Sequence, residues 1–392
     1  MNSQWTQLVS GIKEMYAKSF VPLHEPTFQG EELAYVSDCI KTGWVSSVGQ
    51  YVNQFEEKLA EYTGVNYAIS VVNGTAALQV ALKVAGVQAN DEVFMPSLTF
   101  IATANAASYL GAVPHFVDVS EVTLGLDPAK LEQYIEDVAK VKNGVLINKE
   151  TGRVIRAVVP MHTFGHPVEV DKLIEVCNKY HLVLVEDAAE SLGSYYKDQH
   201  TGSFGRVSAV SFNGNKIITT GGGGAILTND VEIAKYAKHI TTTAKVPHRW
   251  EYMHDEIGYN YRMPNLNAAL GCAQLERISS FIEQKRLLTV MYDNLLSEID
   301  EIRLFKEPIN CSSNYWLQTL VLDESVNRDE LLYYFNENGI QSRPIWQPLH
   351  LLTIYSQNPK SDLSTTNSLQ KRVINIPSSP NLTVGEFIHG KI

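Results

Sequence analysis

Short apolar runs alternate with longer amphipathic stretches between about Gly30 and Val246. Several of the short runs are apolar at every position, which is typical of strands covered on both faces. The amphipathic stretches, such as Gly74–Ala85 and Val168–Tyr180, repeat apolar residues at helical spacing. This alternation predicts a doubly wound, mainly parallel α/β sheet. The predicted strands are Tyr67–Val72, Glu92–Met95, Val113–Val117, Ile155–Pro160, Leu182–Glu186, Val207–Phe212 and Ala225–Leu227.

The pattern changes after Pro264. Two long helices, about Pro264–Phe281 and Glu283–Ile299, lead to a strand at Tyr315–Leu322 and a helix near Arg328–Asn338. This arrangement predicts a second, smaller α+β domain at the C-terminal end of the chain. The predicted divisions are an N-terminal helix and lead-in at residues 1–20, a large domain at 21–250 and a small domain at 251–392.

Composition and charge exclude several classes of protein. The 392 residues are 44% hydrophobic, enough for a large core, and the formal net charge is −11. An acidic chain without a basic run is a poor binder of nucleic acid or anionic membranes. The N-terminus lacks the apolar core of a signal peptide, and no apolar run approaches the roughly 18 residues of a membrane span. The cysteines show no CxxC spacing, which predicts reduced thiols in a cytoplasmic protein without disulfides.

One lysine stands alone on a glycine-rich turn between two apolar strands. Lys216 is the only Lys or Arg between Arg206 and Lys235, and the four glycines Gly221–Gly224 follow it. Burial of such a lysine favours its neutral amine. A neutral amine attacks aldehydes, of which pyridoxal phosphate is the one used as a cofactor. The alternative is a turn lysine that points into solvent.

Two further groups follow strands that end at the same sheet edge, where ligands of doubly wound sheets bind. Gly74 and Thr75 open a helix after a strand, and the free N–H groups of the helix start favour a phosphate. Gly74 lets the phosphate approach the backbone closely, and Thr75 adds a hydroxyl donor. Asp187 ends another strand, and a carboxylate there keeps a pyridine nitrogen protonated, while the small Ala189 leaves room for a flat ring. Each feature alone fits an ordinary helix cap. Together with Lys216 they predict a pyridoxal phosphate site.

Other ligand sites find less support in the sequence. Lys216 precedes the four glycines, so the turn is not a P-loop, and no GxGxxG motif joins a strand to a helix. His162 and His166 have the i, i+4 spacing of a zinc helix, but the Gly165 and Pro167 beside them predict a loop. No metal site is predicted.

Five segments spread along the chain carry long motifs in a fixed order: NGTAAL, PSLTFIATANA, EDAAESLG, SFNGNKIITTGGGGAI and GYNYRMPNLNAALG. Together they resemble the DegT/DnrJ/EryC1/StrS family of sugar aminotransferases. The resemblance extends from about Val21 to about Pro377. It implies a pyridoxal-phosphate-dependent enzyme of fold type I, with a large, mainly parallel sheet domain and a smaller C-terminal α+β domain.

The resemblance also assigns roles to single residues. It implies that Lys216 forms the imine with the cofactor and that Asp187 pairs with the pyridine nitrogen. It implies a homodimer, because one phosphate contact comes from the neighbouring subunit. The remaining implied cofactor contacts are Gly74, Thr75 and Ser211 at the phosphate, Phe100 and Ala189 on the two ring faces, and Asn260 from the neighbouring subunit.

One position departs from the commonest family pattern, and it bears on the substrate. Many members have Gln or His where this chain has Glu190, close to the phenolic oxygen of the cofactor. A carboxylate there is repelled unless it is protonated or turned away. Glu190 and the segment GWVSSVGQYVNQFE are most similar to the perosamine and bacillosamine/legionaminic branch. That similarity implies a UDP-linked 4-keto-6-deoxy-N-acetylhexose as substrate, glutamate as amine donor and a role in surface glycan biosynthesis.

Three alternatives remain open at this point. In the first, the substrate is a GDP-linked 4-keto-6-deoxymannose. In the second, it is a cyclitol ketone. In the third, the chain is a regulator that binds the cofactor without turnover. The presence of both Lys216 and Asp187 disfavours the regulator. Candidate contacts to the nucleotide sugar are Trp44, Arg249, Arg343 and Trp346.

Overall fold

A nine-stranded sheet forms the centre of the computed structural model, which describes residues 3–382. Residues 1–2 and 383–392, the outermost parts of the predicted lead-in and small domain, lie outside the described residues. The helices are α1 (Ser3–Tyr16), α2 (Glu32–Thr42), α3 (Gln50–Thr63), α4 (Gly74–Val84), α5 (Ala102–Tyr109), α6 (Pro128–Val138), α7 (Val170–Tyr180), α8 (Val231–Thr241), α9 (Asn265–Leu275), α10 (Ile278–Leu296), α11 (Arg328–Glu337) and α12 (Ser364–Arg372).

The strands of the described residues include all eight that the sequence predicts, seven in the large sheet within two residues of their predicted bounds and one, predicted at Tyr315–Leu322, that begins at Gln318. They are β1 (Tyr67–Val71), β2 (Glu92–Pro96), β3 (Val113–Val117), β4 (Ala139–Lys142), β5 (Val145–Asn148), β6 (Val154–Val158), β7 (Val183–Asp187), β8 (Tyr195–Tyr196), β9 (Gln199–His200), β10 (Val207–Ser211), β11 (Gly224–Thr228), β12 (Lys245–Val246), β13 (Met253–His254), β14 (Ile302–Leu304), β15 (Cys311–Ser312), β16 (Gln318–Leu322), β17 (Arg343–Pro344) and β18 (Val373–Ile376).

The large sheet is mixed and mostly parallel. Its strand order is β1-β11-β10-β7-β6-β2-β3, in which β11 is antiparallel to both of its neighbours. The pairs from β10 to β3 are all parallel. Strands β2, β10 and β11 are buried at every position, as the continuous apolar runs predict for a sheet covered on both faces.

A hairpin that pairs with the interior strand β6 of the large sheet was not predicted. Strands β4 and β5 pair with each other, and β5 pairs with β6 in the antiparallel sense. Three of the four residues of β4 are exposed, so the strand lacks the apolar run that identified the others. The turn residues Asn143 and Gly144 both have positive φ, and an Asn-Gly pair is the characteristic sequence of such a tight turn.

A smaller antiparallel sheet has the order β14-β16-β18-β17. The N-terminal helix α1 packs in the same core, where its Leu8 and Ile12 share a cluster with Tyr292 of α10 and Ile374 of β18. Helix α9 instead packs against α2 and α3, in a cluster of buried residues that includes Phe55 and reaches β10. The domain limits given above stay a prediction. Every helix among residues 3–382 is too short or too polar to cross a membrane.

Candidate active site

Three strand ends bring the chemically active residues to one edge of the large sheet. Strands β1 and β10 are both antiparallel to β11, so they run in the same direction, and β7 is parallel to β10. Gly74 follows β1, Asp187 ends β7 and Lys216 lies on the turn after β10. The topology therefore places all three residues at the carboxyl ends of their strands, where α/β sheets bind ligands.

The start of α4 forms a cradle for an anion. Asn73 caps the helix, because its side chain accepts a hydrogen bond from the Ala76 N–H at 2.8 Å. A Cβ added to Gly74 would lie 2.7 Å from Cβ of Ser211, so a side chain at position 74 would occupy the space beside the serine hydroxyl. The helix N-terminus, the half-buried Thr75 and Ser211 converge there, which suits a phosphate group.

Asp187 is a buried carboxyl group that hydroxyl and backbone donors orient. Its Oδ2 accepts a hydrogen bond from the Thr103 hydroxyl at 2.7 Å, and its Oδ1 accepts one from the Ala189 N–H at 3.2 Å. Turns rather than a helix follow β7, so Asp187 is not a helix cap. Burial raises the pKa of the Asp187 carboxyl, while these two donors and the charge of Lys216 oppose the rise. A cationic ring nitrogen at this place would stabilise the carboxylate.

Thr103 connects Asp187 to an aromatic residue, and sequence analysis missed it. The Thr103 N–H donates to the carbonyl of Phe100 at 3.3 Å, while the Thr103 hydroxyl donates to Asp187. The Phe100 side chain is 49% exposed, which leaves its ring available to a ligand. Thr103 lies within the segment PSLTFIATANA, three residues after Phe100, but a threonine near a helix start carries no distinctive signal.

Lys216 lies between a carboxylate and an aromatic ring. Its Nζ is 3.2 Å from Oε1 of Glu190 and 3.9 Å from the ring centroid of Trp316, and its side chain is 12% exposed. The lysine thus points into the protein, as predicted, and not into solvent. Sequence analysis expected burial alone to favour the neutral amine. Both observed contacts, one with a carboxylate and one with an aromatic face, are of the kind that attracts a cation, so burial is not the only influence on this amine.

Glu190 points toward Lys216 and is held from its other side. Its Oε2 accepts a hydrogen bond from the Phe164 N–H at 2.9 Å, and the residue is buried. Burial raises the pKa of Glu190 to about 7, although the charge of Lys216 and the Phe164 N–H act against the rise. The raised pKa favours the protonated carboxyl group, which is the form that would tolerate a nearby phenolic oxygen.

Comparisons with known proteins agree with this geometry. The family model of the DegT/DnrJ/EryC1/StrS aminotransferases matches residues 26–389. The chain belongs to this family. It is 36% identical over 370 residues to a GDP-perosamine synthase from Escherichia coli O157:H7, covering 94% of this chain and 96% of the relative. A GDP-perosamine synthase from Vibrio cholerae is 36% identical over 365 residues, covering 92% and 95%.

A solved structure supports the same assignment. A DegT/DnrJ/EryC1/StrS aminotransferase from Brucella abortus has a TM-score of 0.81 and 30% identity, and the match covers 89% of this chain and 90% of that one. The protein is accordingly a pyridoxal-phosphate-dependent sugar aminotransferase with the fold-type I architecture. Its residues fit the cofactor, since the cradle at Gly74 and Ser211 suits the phosphate, the buried Asp187 suits a protonated ring nitrogen, and Lys216 supplies the amine.

Cofactor affinity should depend on the absence of a side chain at Gly74. In Gly74→Ala, the new Cβ would meet Ser211 at 2.7 Å and push the helix start away from the serine. We expect the aminotransferase to stay folded and its dissociation constant for pyridoxal phosphate to rise about tenfold to a hundredfold. Absorbance titration measures this constant. Gly30→Ala is the control, because its Cβ would be no closer than 3.4 Å to any neighbour. Equal affinity in both variants would show that the cradle does not hold the phosphate.

The raised pKa of Glu190 should appear in the pH dependence of stability. Between its ordinary value of 4.5 and about 7, the folded cofactor-free chain holds a proton on Glu190 that the unfolded chain has released. The free energy of unfolding therefore falls as pH rises through this window. Glu190→Gln mimics the protonated form, so its stability relative to wild type should increase by on the order of 1–3 kcal/mol between pH 4.5 and pH 7.

Denaturant unfolding at several pH values measures this difference. Glu92→Gln provides a control of opposite sign, because donors such as His115 and Asn148 outweigh burial and lower the pKa of the buried Glu92. That variant should lose stability relative to wild type as pH rises above the folded-state pKa of Glu92. A pH-independent difference between Glu190→Gln and wild type would contradict the assignment.

Asn260 is exposed and lies beside the end of β1. Its backbone pairs with Thr242, while the next residues, Tyr261 and Arg262, pair with Val72 and Val71. The segment thus runs along the outer edge of the sheet, and its partners Val71 and Val72 come just before the anion cradle at Gly74. The exposed side chain is available to another subunit, and its role at the phosphate stays a prediction.

The four candidate nucleotide-sugar contacts lie in different places. The ring of Trp346 is 6.5 Å from that of Phe100 and 4.8 Å from that of Phe164, so it borders the site. Trp44 lines a cavity of about 670 Å³, and Arg249 lines a neighbouring one of about 930 Å³. Thr242 and Arg262 line both cavities. Arg343 is exposed on β17.

The two histidines near the site have structural partners. His162 Nε2 lies 3.0 Å from Oε2 of the buried Glu186, which also accepts backbone N–H groups of the loop after β9. The His166 ring packs against the rings of Phe305 and Tyr315, and burial lowers its pKa to about 3. The spacing of the two histidines therefore reflects a packed loop.

Proposed function

We propose that this aminotransferase transfers the amino group of glutamate to C4 of a GDP-linked 4-keto-6-deoxyhexose. Support for the sugar comes from the two relatives named GDP-perosamine synthase, which match this chain over more than nine tenths of its length. Sequence analysis favoured a UDP-linked sugar and gave the GDP-linked sugar as an alternative. These relatives favour the alternative. A role in surface glycan biosynthesis and a cytoplasmic location are part of the same proposal.

The contact between Lys216 and Glu190 carries the chemical part of the proposal. When bound, pyridoxal phosphate supplies an aldehyde for the incoming amine and an electron sink for the resulting carbanion. Lys216 Nζ would take the proton from the α-carbon of the amine donor and pass it to C4′ of the cofactor, and in the second half-reaction it would carry a proton from C4′ to C4 of the sugar. Glu190 lies 3.2 Å from this Nζ and would hold its ammonium form in place between the two parts of each transfer.

Asp187 and the anion cradle orient the reactants. The Asp187 carboxylate, held by the hydroxyl of Thr103 and the N–H of Ala189, would keep the ring nitrogen of a bound cofactor protonated. The cradle at Gly74 and Ser211 would hold the phosphate. Asp187 and the cradle lie at the same sheet edge, so together they would bind the cofactor at two points.

A panel of keto sugars tests the substrate. Purified enzyme with glutamate is given 4-keto-6-deoxy sugars linked to GDP, UDP and dTDP, together with a free cyclitol ketone. We expect kcat/KM for the GDP-linked sugar to exceed the others by at least about tenfold. A preference for the UDP-linked N-acetyl sugar would reject the nucleotide and keep the reaction. Turnover of the cyclitol alone would reject the substrate class.

We also propose that two chains share each active site through Asn260. Mixing an inactive Lys216→Ala chain with an Asn260→Ala chain should then restore activity, because one pocket of the mixed dimer has both residues intact. The expected recovery is about half of the wild-type rate per mixed dimer, measured after the mixed species is isolated with two affinity tags. Mixing Lys216→Ala with Asp187→Asn serves as the negative control, since those two residues belong to one chain and each pocket of the mixed dimer lacks one of them, so no activity should return. An equal lack of recovery with Asn260→Ala, when Asn260→Ala alone is clearly impaired, would place Asn260 in the pocket of its own chain.

A further inference from the structure

Trp316 lies against the reactive lysine, and sequence analysis gave it no role. The ring centroid is 3.9 Å from Lys216 Nζ, and the Trp316 side chain is almost completely buried. The indole N–H donates to the carbonyl of Asn215 at 2.6 Å, which ties the ring to the residue directly before the lysine. The ring and the lysine turn are therefore held to each other.

The backbone of Trp316 is fixed from both sides. Its N–H donates to Oδ1 of Asn314 at 2.8 Å, and its carbonyl accepts from Nζ of the buried Lys285 at 3.1 Å. The amide of Asn314 also donates to the backbone carbonyl of Glu190 at 2.9 Å. One side chain thus anchors both the tryptophan and the carboxylate that face Lys216.

A second connection joins the same two partners. The ring of Phe164 lies 6.3 Å from that of Trp316, and the N–H of Phe164 donates to Oε2 of Glu190. The ring and the carboxylate consequently belong to one supported unit. Such support keeps an active-site group in a single geometry, whereas an unsupported ring on the surface adopts several.

We propose that Trp316 is a positioning residue, whose indole face holds the ammonium form of Lys216 beside Glu190 whenever the lysine is not covalently bound to the cofactor. The face of an indole ring attracts a cation more strongly than any other side-chain ring does. The lysine is released in each half-reaction, when its amine must stay near the reacting carbon. A free amine with a defined position needs little rearrangement to reach the reacting carbon.

Among the described residues, the charge of Lys216 acts on three other titratable groups. Glu190 is in direct contact with it, and the charge of Lys216 also affects the pKa of Asp187 and of His24. Burial lowers the pKa of His24 well below its ordinary value, and the charges of Lys285 and Lys216 lower it further. His24 is therefore neutral at neutral pH. All of these groups remain in place when Trp316 is replaced, so a replacement isolates the effect of the ring.

The test measures the protonation of Lys216 directly in the enzyme loaded with pyridoxamine phosphate, in which the lysine is free. An amine-selective reagent modifies only the neutral amine, and peptide mapping reports the rate at Lys216 as a function of pH. The plateau at high pH reports access to the amine, while the midpoint reports its protonation. In Trp316→Met we expect the midpoint to fall by about one pH unit. At a pH below the midpoint, this shift would raise the rate of modification at Lys216 about tenfold. The plateau at high pH should stay unchanged.

A matched control and a conservative variant complete the design. Phe305→Met removes a buried aromatic ring from the same apolar cluster, and it should leave the midpoint unchanged. Trp316→Phe keeps a weaker ring face, so its midpoint should fall by less, with about a threefold rise in rate. This variant carries the test if Trp316→Met does not fold. Both half-reactions should slow in kcat in the Trp316 variants, with KM for each substrate retained.

Two results would overturn the proposal. One is an unchanged midpoint in folded, cofactor-binding Trp316 variants, because the ring would then not hold the cation. The other is an equal shift in Phe305→Met, because the effect would then come from general loosening of the cluster.

Discussion

The Lys216→Ala variant is expected to bind pyridoxal phosphate and to show no measurable turnover. The substitution removes the amine that points at Glu190, while the phosphate cradle at Gly74 and the Asp187 carboxylate remain. Activity should fall at least about a thousandfold, since we propose that Lys216 is both the nucleophile and the acid–base group. Borohydride reduction of the wild-type enzyme followed by peptide mapping should place the pyridoxyl group on Lys216.

Lys197→Ala is a matched control for this prediction. Lys197 also has a carboxylate partner, Asp171 at 2.6 Å, and an aromatic neighbour, Tyr196, but it lies on the surface. Its removal should leave activity within about twofold of wild type. A Lys216→Ala enzyme that keeps a tenth of wild-type activity, or a pyridoxyl group found on another lysine, would contradict the assignment.

Asp187→Asn should give the second largest loss. The amide is close in shape and retains an oxygen to accept from Thr103, but it cannot stabilise a protonated ring nitrogen. We expect kcat to fall about a hundredfold to ten-thousandfold with little change in KM, because the interaction strengthens in the transition state. Single-turnover measurements of each half-reaction separate this effect from substrate binding.

Asp118→Asn tests whether the loss is specific to the site. Asp118 is a buried carboxyl group that accepts from Lys130 at 2.6 Å and from two backbone N–H groups at the start of α12. Its replacement should lower the free energy of unfolding by about 1–3 kcal/mol and leave kcat nearly unchanged. A near wild-type kcat in Asp187→Asn would show that this carboxyl group only organises the turn after β7.

The placement of residues that directly follow an apolar strand was predictable from the sequence. Gly74, Asp187 and Lys216 each come directly after an apolar strand, and the parallel arrangement of these strands brings their ends to one edge. The continuous apolar runs identified the buried strands because a strand that is covered on both faces is apolar at nearly every position. The hairpin β4–β5 was missed because its first strand is mostly exposed, although its Asn-Gly turn is a recognisable signal.

Contacts between distant parts of the chain were not predictable. Trp316 bonds to a residue 101 positions earlier, and no periodicity in the sequence connects the two. The contact of Glu190 with Lys216 depends on the turn after β7 folding toward the turn after β10. Sequence analysis identified Glu190 as unusual, but the raised pKa that explains its tolerance follows from a burial that only the structure shows.

The central claim is that this chain moves an amino group from glutamate to a nucleotide-linked keto sugar. The most direct measurement follows isotopically labelled nitrogen from glutamate by mass spectrometry, with GDP-4-keto-6-deoxymannose as acceptor and the Lys216→Ala enzyme as blank. We predict a GDP-linked amino sugar that carries the label in the wild-type reaction and none in the blank. An absence of label in the GDP-, UDP- and dTDP-linked sugars alike, from an enzyme with its cofactor bound at Lys216, would contradict the account.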